Sequence, residues 1–289
     1  MSVRDLLLVP PGGKVDLTAV DPRSTPGLPD RHAVGQEPKA WARADVAACR
    51  PHLADLQRRL YASSRVAGDP RRVLLVLQAM DCGGKDGVIR HVIGGLDPNA
   101  VQVTHFRAPD REERRHHFLW RVRRALPPAG YVGVFNRSHY EDVLVVRVHE
   151  LVPREIWRRR YDEINRFEAG LAVDGYVVVK AMLHISPEEQ AARLLARLDD
   201  PAKRWKYDRA DVEERARWDD YREAYEAALA RCSTTVAPWY VVPADRKWYR
   251  DWAVSRLLTE VMDGLALRYP EPPLDVGTER ARIAATQPR

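Results

Sequence analysis

Cysteine is scarce in this 289-residue chain. Cys49, Cys82 and Cys232 are odd in number and far apart, which excludes a disulfide framework and an all-cysteine zinc site and fits a reducing cytoplasm. Long apolar runs are missing too: none reaches the ~18 residues that a membrane span needs. The N-terminus has no charged head followed by an apolar stretch and a small-residue cleavage site, so no secretory leader is expected. Neither an internal repeat nor a low-complexity tract is present. Lysine is rare among the basic residues, seven of 47; the remainder are arginines, which suit forked recognition of phosphates. Hydrophobic residues make up 45% and charged residues 30%, enough apolar material for a sizeable core. The net charge of +6 permits a polyanionic partner without naming one.

The punctuation of the chain predicts an α/β domain. Residues 1–38 carry Pro10-Pro11-Gly12-Gly13, Pro22, Pro26, Pro29 and Pro38 and read as an extended arm, free to wrap its own domain or a neighbouring subunit. Residues 40–63 are helical in pattern, with Pro51 expected to kink or split them. Strands are expected over Val73–Leu77, Val101–Thr104, Tyr131–Phe135, Tyr176–Ile185 and Trp239–Val242. Helices are expected over Asp110–Ala125, Arg154–Val173, from Ser186, over Asp208–Arg231 and over Arg246–Arg268, followed by a Pro-rich tail, 271–289. Alternation of this kind implies a parallel five-stranded sheet with helices on both faces. Its ligands gather at the carboxyl ends of the strands. One catalytic domain over 39–270 is expected.

The first strand runs into Ala79-Met80-Asp81-Cys82-Gly83-Gly84-Lys85-Asp86-Gly87. A glycine-rich turn between a buried strand and a helix aims backbone N–H groups and the positive helix end at one point. Gly83, Gly84 and Gly87 would cradle phosphates and Lys85 would add a mobile cation, expected to face solvent in part. This is the logic of the Walker A loop, with two departures: Ala79 stands in the first glycine position and Asp86 in that of the Mg²⁺-binding Ser/Thr. Asp81 and Asp86 give the loop two carboxylates for a metal. The competing reading is a plain glycine turn with a solvated lysine.

The third strand ends in Phe135-Asn136-Arg137-Ser138-His139-Tyr140-Glu141-Asp142. Arg137 suits a bidentate hold on phosphate, and Glu141 or Asp142 could organise a metal where phosphate-loop folds usually place Asp. A third charged segment, Asp199–Tyr207, has the make-up either of a mobile lid spanning about 199–210 or of a solvated hairpin between helices. Arg204 and Lys206 would close over phosphates, and Arg193 and Arg197, opposite Leu194, Leu195 and Leu198, would face the same space. The arginines of 111–124 read as a solvated helix face over an inner stripe of Phe118, Val122 and Ala125.

These segments, with Trp205-Lys206-Tyr207, Ala237–Asp245 and Lys247-Trp248-Tyr249, resemble the motifs of the polyphosphate kinase 2 family, in order, from about residue 40 to 270. The resemblance implies a P-loop kinase fold with a helical lid and a cytoplasmic homo-oligomer. It also implies Mg²⁺-dependent phosphoryl transfer, with Mn²⁺ as a substitute, from inorganic polyphosphate to adenine or other purine nucleotides. No membrane or nucleic-acid partner is expected. Asp81, Lys85, Arg137 and Asp142 would be catalytic, and Asp81, Asp86 and Asp142 would hold metal. Gly83, Gly84, Gly87, Asn136, Glu141, Arg193, Arg197, Arg204 and Lys206 would bind substrate. Members of the family that accept monophosphates resemble this chain in having Asn136 and Glu141, whereas diphosphate-directed members tend to have Asp and Asn there. AMP is therefore the expected acceptor, with ADP as a second. Two other functions fit the same residues: an ATP-dependent nucleotide or nucleoside kinase, and a non-catalytic module binding polyphosphate or nucleic acid.

Overall fold

Five apolar segments form strands: β1 (Arg72–Ala79), β2 (Val101–His105), β3 (Val132–Asn136), β4 (Tyr176–His184) and β5 (Trp239–Pro243). A computed structural model describing residues 1–30 and 35–286 pairs them all in parallel, in the order β2-β3-β1-β4-β5. Central β1 has Val73, Leu74, Leu75, Val76 and Leu77 wholly inaccessible, which is why its sequence is a continuous apolar run and does not alternate. Strands β2 and β3 lie on one side of β1, β4 and β5 on the other. That reversal opens a crevice beyond the carboxyl ends.

The helices are α1 (Val3–Leu7), α2 (Pro38–Ala67), α3 (Lys85–His91), α4 (Trp120–Arg124), α5 (Val145–Val148), α6 (Arg154–Val173), α7 (Pro187–Asp199), α8 (Ala210–Arg215), α9 (Trp218–Cys232), α10 (Lys247–Asp263) and α11 (Val276–Ala285). Helix α6 buries Tyr161, Ile164, Phe167, Glu168 and Leu171, a stripe at helical spacing, and packs on β4. Helices α2 and α10 pack against each other. The expected start of α7 is present: Ser186 Oγ accepts from Glu189 N at 3.1 Å, with Pro187 in the first turn.

Several expectations are corrected. Helix α2 passes through Pro51 without a break; Leu53, Leu56 and Leu60 beyond the proline are buried, and that packing outweighs the missing N–H. The segment 110–125 is not one helix. Asp110 and Glu113 exchange capping bonds of 2.8 and 3.0 Å, but these close only a 3₁₀ turn, Glu113–Arg115. His116 is then extended, and α4 begins at Trp120. Nor is its basic face all solvated, since Arg121 is buried, donating to Arg107 O at 2.7 Å. The long helix expected from Asp208 is divided into α8 and α9 at Arg217, whose φ and ψ are −100° and 26°.

The arm is not simply extended. It contains α1 and a 3₁₀ turn, Leu17–Ala19, and buries Val3, Leu7, Val9 and Leu17. Val9 N donates to Trp239 O at 2.9 Å and Leu8 bridges Tyr240 antiparallel. The arm thus covers the exposed edge of β5 and wraps its own domain. The tail holds α11, none of whose residues is buried. Residues 31–34 of the arm and 287–289 of the tail lie outside the described residues. No helix among the described residues is long and apolar enough to cross a membrane.

Candidate active site

Two loops at the carboxyl ends of adjacent strands build the site. Among the described residues four non-glycine residues have positive φ, and two of them sit here: Cys82 and Arg137, each at 62°. Left-handed backbone at such residues is costly and persists where surrounding contacts hold it. Those contacts are visible. Arg137 N donates to Leu77 O at 3.1 Å, tying the second loop to β1. Arg193 Nη1 donates to Cys82 O at 2.8 Å, and Gln190 Nε2 to Asp81 O at 3.0 Å.

Helix α3 starts at Lys85, with Gly84 at its N-cap, φ 104°. A Cβ on Gly84 or Gly87 would strike the guanidinium of Arg250, which lies buried beneath the loop. Glycine is needed at both positions because an arginine occupies the space. Arg250 donates to Asp251 Oδ1 at 2.6 Å and escaped sequence analysis, since a charged residue inside an amphipathic helix gives no pattern of its own.

Lys85 does not face solvent as expected. It is buried and its Nζ donates to Ala79 O at 2.9 Å. Burial, then the Arg137 charge, lowers its pKa, opposed by Asp81, Glu141 and Asp86. Arg137 Nη2 donates to Asp81 Oδ1 at 2.8 Å, and its Nη1 lies 4.0 Å from Glu141. Burial works against the guanidinium charge, but Glu141 and Asp81 outweigh it and raise its pKa. Glu141 accepts from Gln78 Nε2 at 3.1 Å, and burial raises its pKa despite Arg137 and Lys85. Asn136 Nδ2 donates to Asp86 Oδ1 at 2.8 Å and lies 3.0 Å from His105 Nδ1. An amide, not a second carboxylate, therefore supports Asp86.

Behind the second loop lies a fully buried network. Lys180 of β4 donates to Glu168 of α6 at 2.5 Å, to Tyr140 Oη at 2.8 Å and to Cys232 O at 2.7 Å. Glu168 also meets His139 Nε2 at 3.1 Å and accepts from Tyr140 Oη at 2.9 Å. Burial opposes its ionisation, but Lys180 and His139 together lower its pKa. With all three donors of Lys180 engaged, the Glu168–Lys180 pair fixes the turn that carries Arg137 and Glu141.

Two cavities meet at the Asp81–Arg137 pair. One, of about 650 Å³, is lined by the phosphate loop from Asp81 to Gly87 and by cations including Arg137, Arg193, Arg197, Lys203, Lys206 and Arg250. The other, of about 410 Å³, has Met80, Leu144, Trp218, Tyr221 and Tyr225 in its walls, with Glu141 and Asp211. Asp81 and Arg137 line both. Trp218, Tyr221 and Tyr225 were not foreseen; their spacing of three and four on one helix was the available signal.

The remaining expected residues differ in where they fall. Asp142 lines neither cavity; its carboxylate is paired with Arg160 at 2.9 Å, because the 3₁₀ turn His139–Asp142 sends successive side chains in different directions. Arg193 is buried on the inner side of α7, donating to Glu189 Oε1 at 2.7 Å and to the carbonyls of Cys82, Ala244 and Asp245. Of the leucines set opposite Arg193 and Arg197 by sequence, Leu194 is buried while Leu195 and Leu198 are exposed. Arg197 lines the cationic cavity and donates to Asp211 Oδ2 at 2.8 Å. Arg204 does not line it; its Nε donates to Leu198 O, while Lys203 and Lys206 take the wall. Among the described residues no three His, Cys, Asp or Glu side chains gather into a metal site.

A parallel α/β sheet with a glycine-rich phosphate loop after its central strand defines a P-loop kinase-like protein. The chain belongs to the polyphosphate kinase 2 family, whose family model matches residues 42–268. It is 47% identical over 264 residues to the AMP/ADP-polyphosphate phosphotransferase of Meiothermus ruber, covering 91% of this chain and 94% of that relative. It is 48% identical over 231 residues to the ADP-polyphosphate phosphotransferase of Rhodopseudomonas palustris, covering 76% and 78%. The crystal structure of polyphosphate kinase 2 from Arthrobacter aurescens TC1 superimposes with a TM-score of 0.93 at 48% identity, covering 99% of this chain and 98% of the other.

Proposed function

We propose that the protein is an enzyme that transfers the terminal phosphoryl group of inorganic polyphosphate to a nucleotide, AMP giving ADP and ADP giving ATP. The observation that carries this reading is the meeting of a cation-lined cavity with an aromatic-walled one at Asp81 and Arg137. A polyanion suits the first and a nucleoside the second. The names of the Meiothermus ruber and Rhodopseudomonas palustris relatives support it.

An oxygen of the acceptor phosphate attacks the terminal phosphorus of the donor, and the shortened polymer leaves with the bridging oxygen. The attacking oxygen is already ionised near neutral pH, so catalysis rests on positioning and charge neutralisation. The Gly84 amide, the start of α3 and Lys85 hold the donor phosphates, the amides of Gly83 and Gly87 being given to Met80 O and Gly84 O at 3.0 and 2.9 Å. Arg137, at the junction of the cavities, is placed to bridge donor and acceptor. Glu141 bounds the space beyond a monophosphate and repels the extra charge of a diphosphate, which favours AMP. Asp142 anchors α6 through Arg160.

The oxygen donors of Asp81 and Asp86 fit Mg²⁺, or Mn²⁺ in its place. Such an ion takes one or two carboxylates and completes its shell with phosphates and water, so the lack of a three-ligand cluster among the described residues agrees with it. When bound, the ion neutralises charge on the phosphoryl oxygens. The reaction exchanges one phosphoanhydride for another, and its equilibrium constant should lie near unity.

The test supplies AMP alone and ADP alone as acceptors, each with polyphosphate or with ATP as donor. Product formation from AMP with polyphosphate is expected. Transfer to AMP from ATP, with none from polyphosphate, would leave an ordinary nucleotide kinase.

A further inference from the structure

A third cavity, of about 750 Å³, opens beside the phosphate loop between the start of α2 and the start of α10. His91 and Lys247 line both it and the cationic cavity, so the two are continuous. Lys39, Arg43 and Arg50 fall on one face of α2, at spacings of four and seven, forming a stripe about 16 Å long. Arg246 and Lys247 face them across the cavity.

The charge balance of this groove is one-sided. Its three carboxylates are already engaged: Glu189 by Arg193 at 2.7 Å, Asp245 by Ser186 at 2.8 and 2.9 Å, Asp251 by Arg250 at 2.6 Å and His91 at 2.7 Å. Lys39, Arg43, Arg246 and Lys247 have no carboxylate partner among the described residues, and Arg50 meets only the His91 carbonyl, at 3.2 Å. A row of exposed, unneutralised cations continuous with a phosphate site matches a repeating anion better than a single nucleoside.

We infer that this α2–α10 groove binds the trailing phosphates of a long polyphosphate chain, and so makes the enzyme favour long donors over short ones. The inference rests on the proposed function and names the part of the donor held outside the reacting site. The polymer then leaves the phosphate loop along α2.

The test is Lys39→Glu/Arg43→Glu. Both residues are exposed, and glutamate early in a helix favours the helix, so an unchanged thermal midpoint is expected. With AMP as acceptor, KM for long-chain polyphosphate should rise by about tenfold or more, while KM for tetraphosphate changes by less than about twofold and kcat stays the same. Binding of labelled long-chain polyphosphate, followed by anisotropy, should weaken in parallel and lose part of its salt dependence. Equal effects on both donor lengths, or none on the long one, would overturn the inference. So would a larger loss of polyuridylate binding than of polyphosphate binding, which would make the groove a nucleic-acid site, or a selective rise in KM for ATP, which would make it a nucleoside site. A wild type that transfers nothing from either polymer would overturn the proposed function itself.

Discussion

The two loops after β1 and β3 and the charged segment 199–209 carry similar residues but are held in opposite ways. In the loops, Lys85 is buried, Cys82 and Arg137 keep left-handed backbone, and Arg193, Gln190, Arg250 and the Glu168–Lys180 pair reach in from other elements. In the charged segment the bonds are local: Lys203 to Asp200 at 2.6 Å, Arg204 to Leu198 O at 2.8 Å, Trp205 to Ala202 O at 3.0 Å. Trp205 is 78% exposed. Groups fixed before substrate arrives stabilise a transition state without reorganising. Groups held by a few exposed local bonds open at little cost. We propose that the first region performs the chemistry and that the second is a lid, closing on substrate.

The largest effect should come from Lys85→Ala. Removing a positioned cation from the phosphate site should lower kcat by about a hundredfold to a thousandfold, with the fold retained. Circular dichroism and steady-state rates check it; a variant keeping more than about a tenth of the wild-type rate would break the claim that the loop side carries the chemistry.

Arg193→Ala sharpens the comparison from the structural side. It leaves the carbonyls of Cys82, Ala244 and Asp245 without their donor, at a cost of about 1–3 kcal/mol. Denaturant unfolding should register this together with a fall in kcat. Arg204→Ala should leave the unfolding midpoint unchanged.

Glu141→Asn tests selection by charge. Loss of the carboxylate should raise kcat/KM for ADP relative to that for AMP, by about tenfold in the ratio. Equal falls for both acceptors would give Glu141 a role in the common transfer step.

On the lid, Lys206 lines the cationic cavity and Arg204 does not. Lys206→Ala should raise KM for polyphosphate by about threefold to tenfold, and Arg204→Ala by less than about twofold. Equal effects would mean that the segment closes as a unit and that the open arrangement does not report the bound one.

All five strands, the phosphate loop and the Arg137 loop were legible, because continuous apolar runs and glycine punctuation are local signals. What was not legible depends on contacts between distant parts of the chain. Pro51 suggested a break that the packing of α2 prevents. The capping pair Asp110–Glu113 is real but closes only one turn. Arg193 was assigned, with Arg197, to the side of its helix that faces the phosphates; it is buried because three carbonyls converge on it. Asp142 and Glu141 are neighbours in sequence, yet one faces Arg160 and the other the aromatic-walled cavity. Arg250 could be recognised only once the space beneath Gly84 and Gly87 was known.

The most direct test follows the phosphorus itself. Polyphosphate labelled at its terminal phosphate is incubated with the protein, AMP and Mg²⁺, without ATP, and the product is resolved by ³¹P NMR. A donor cavity and an acceptor cavity meeting at Asp81 and Arg137 predict label in the β-phosphate of ADP in the wild type and almost none with Lys85→Ala. Label that remains in the polymer or appears only as free phosphate, while ATP phosphorylates AMP in the same protein, would contradict the account.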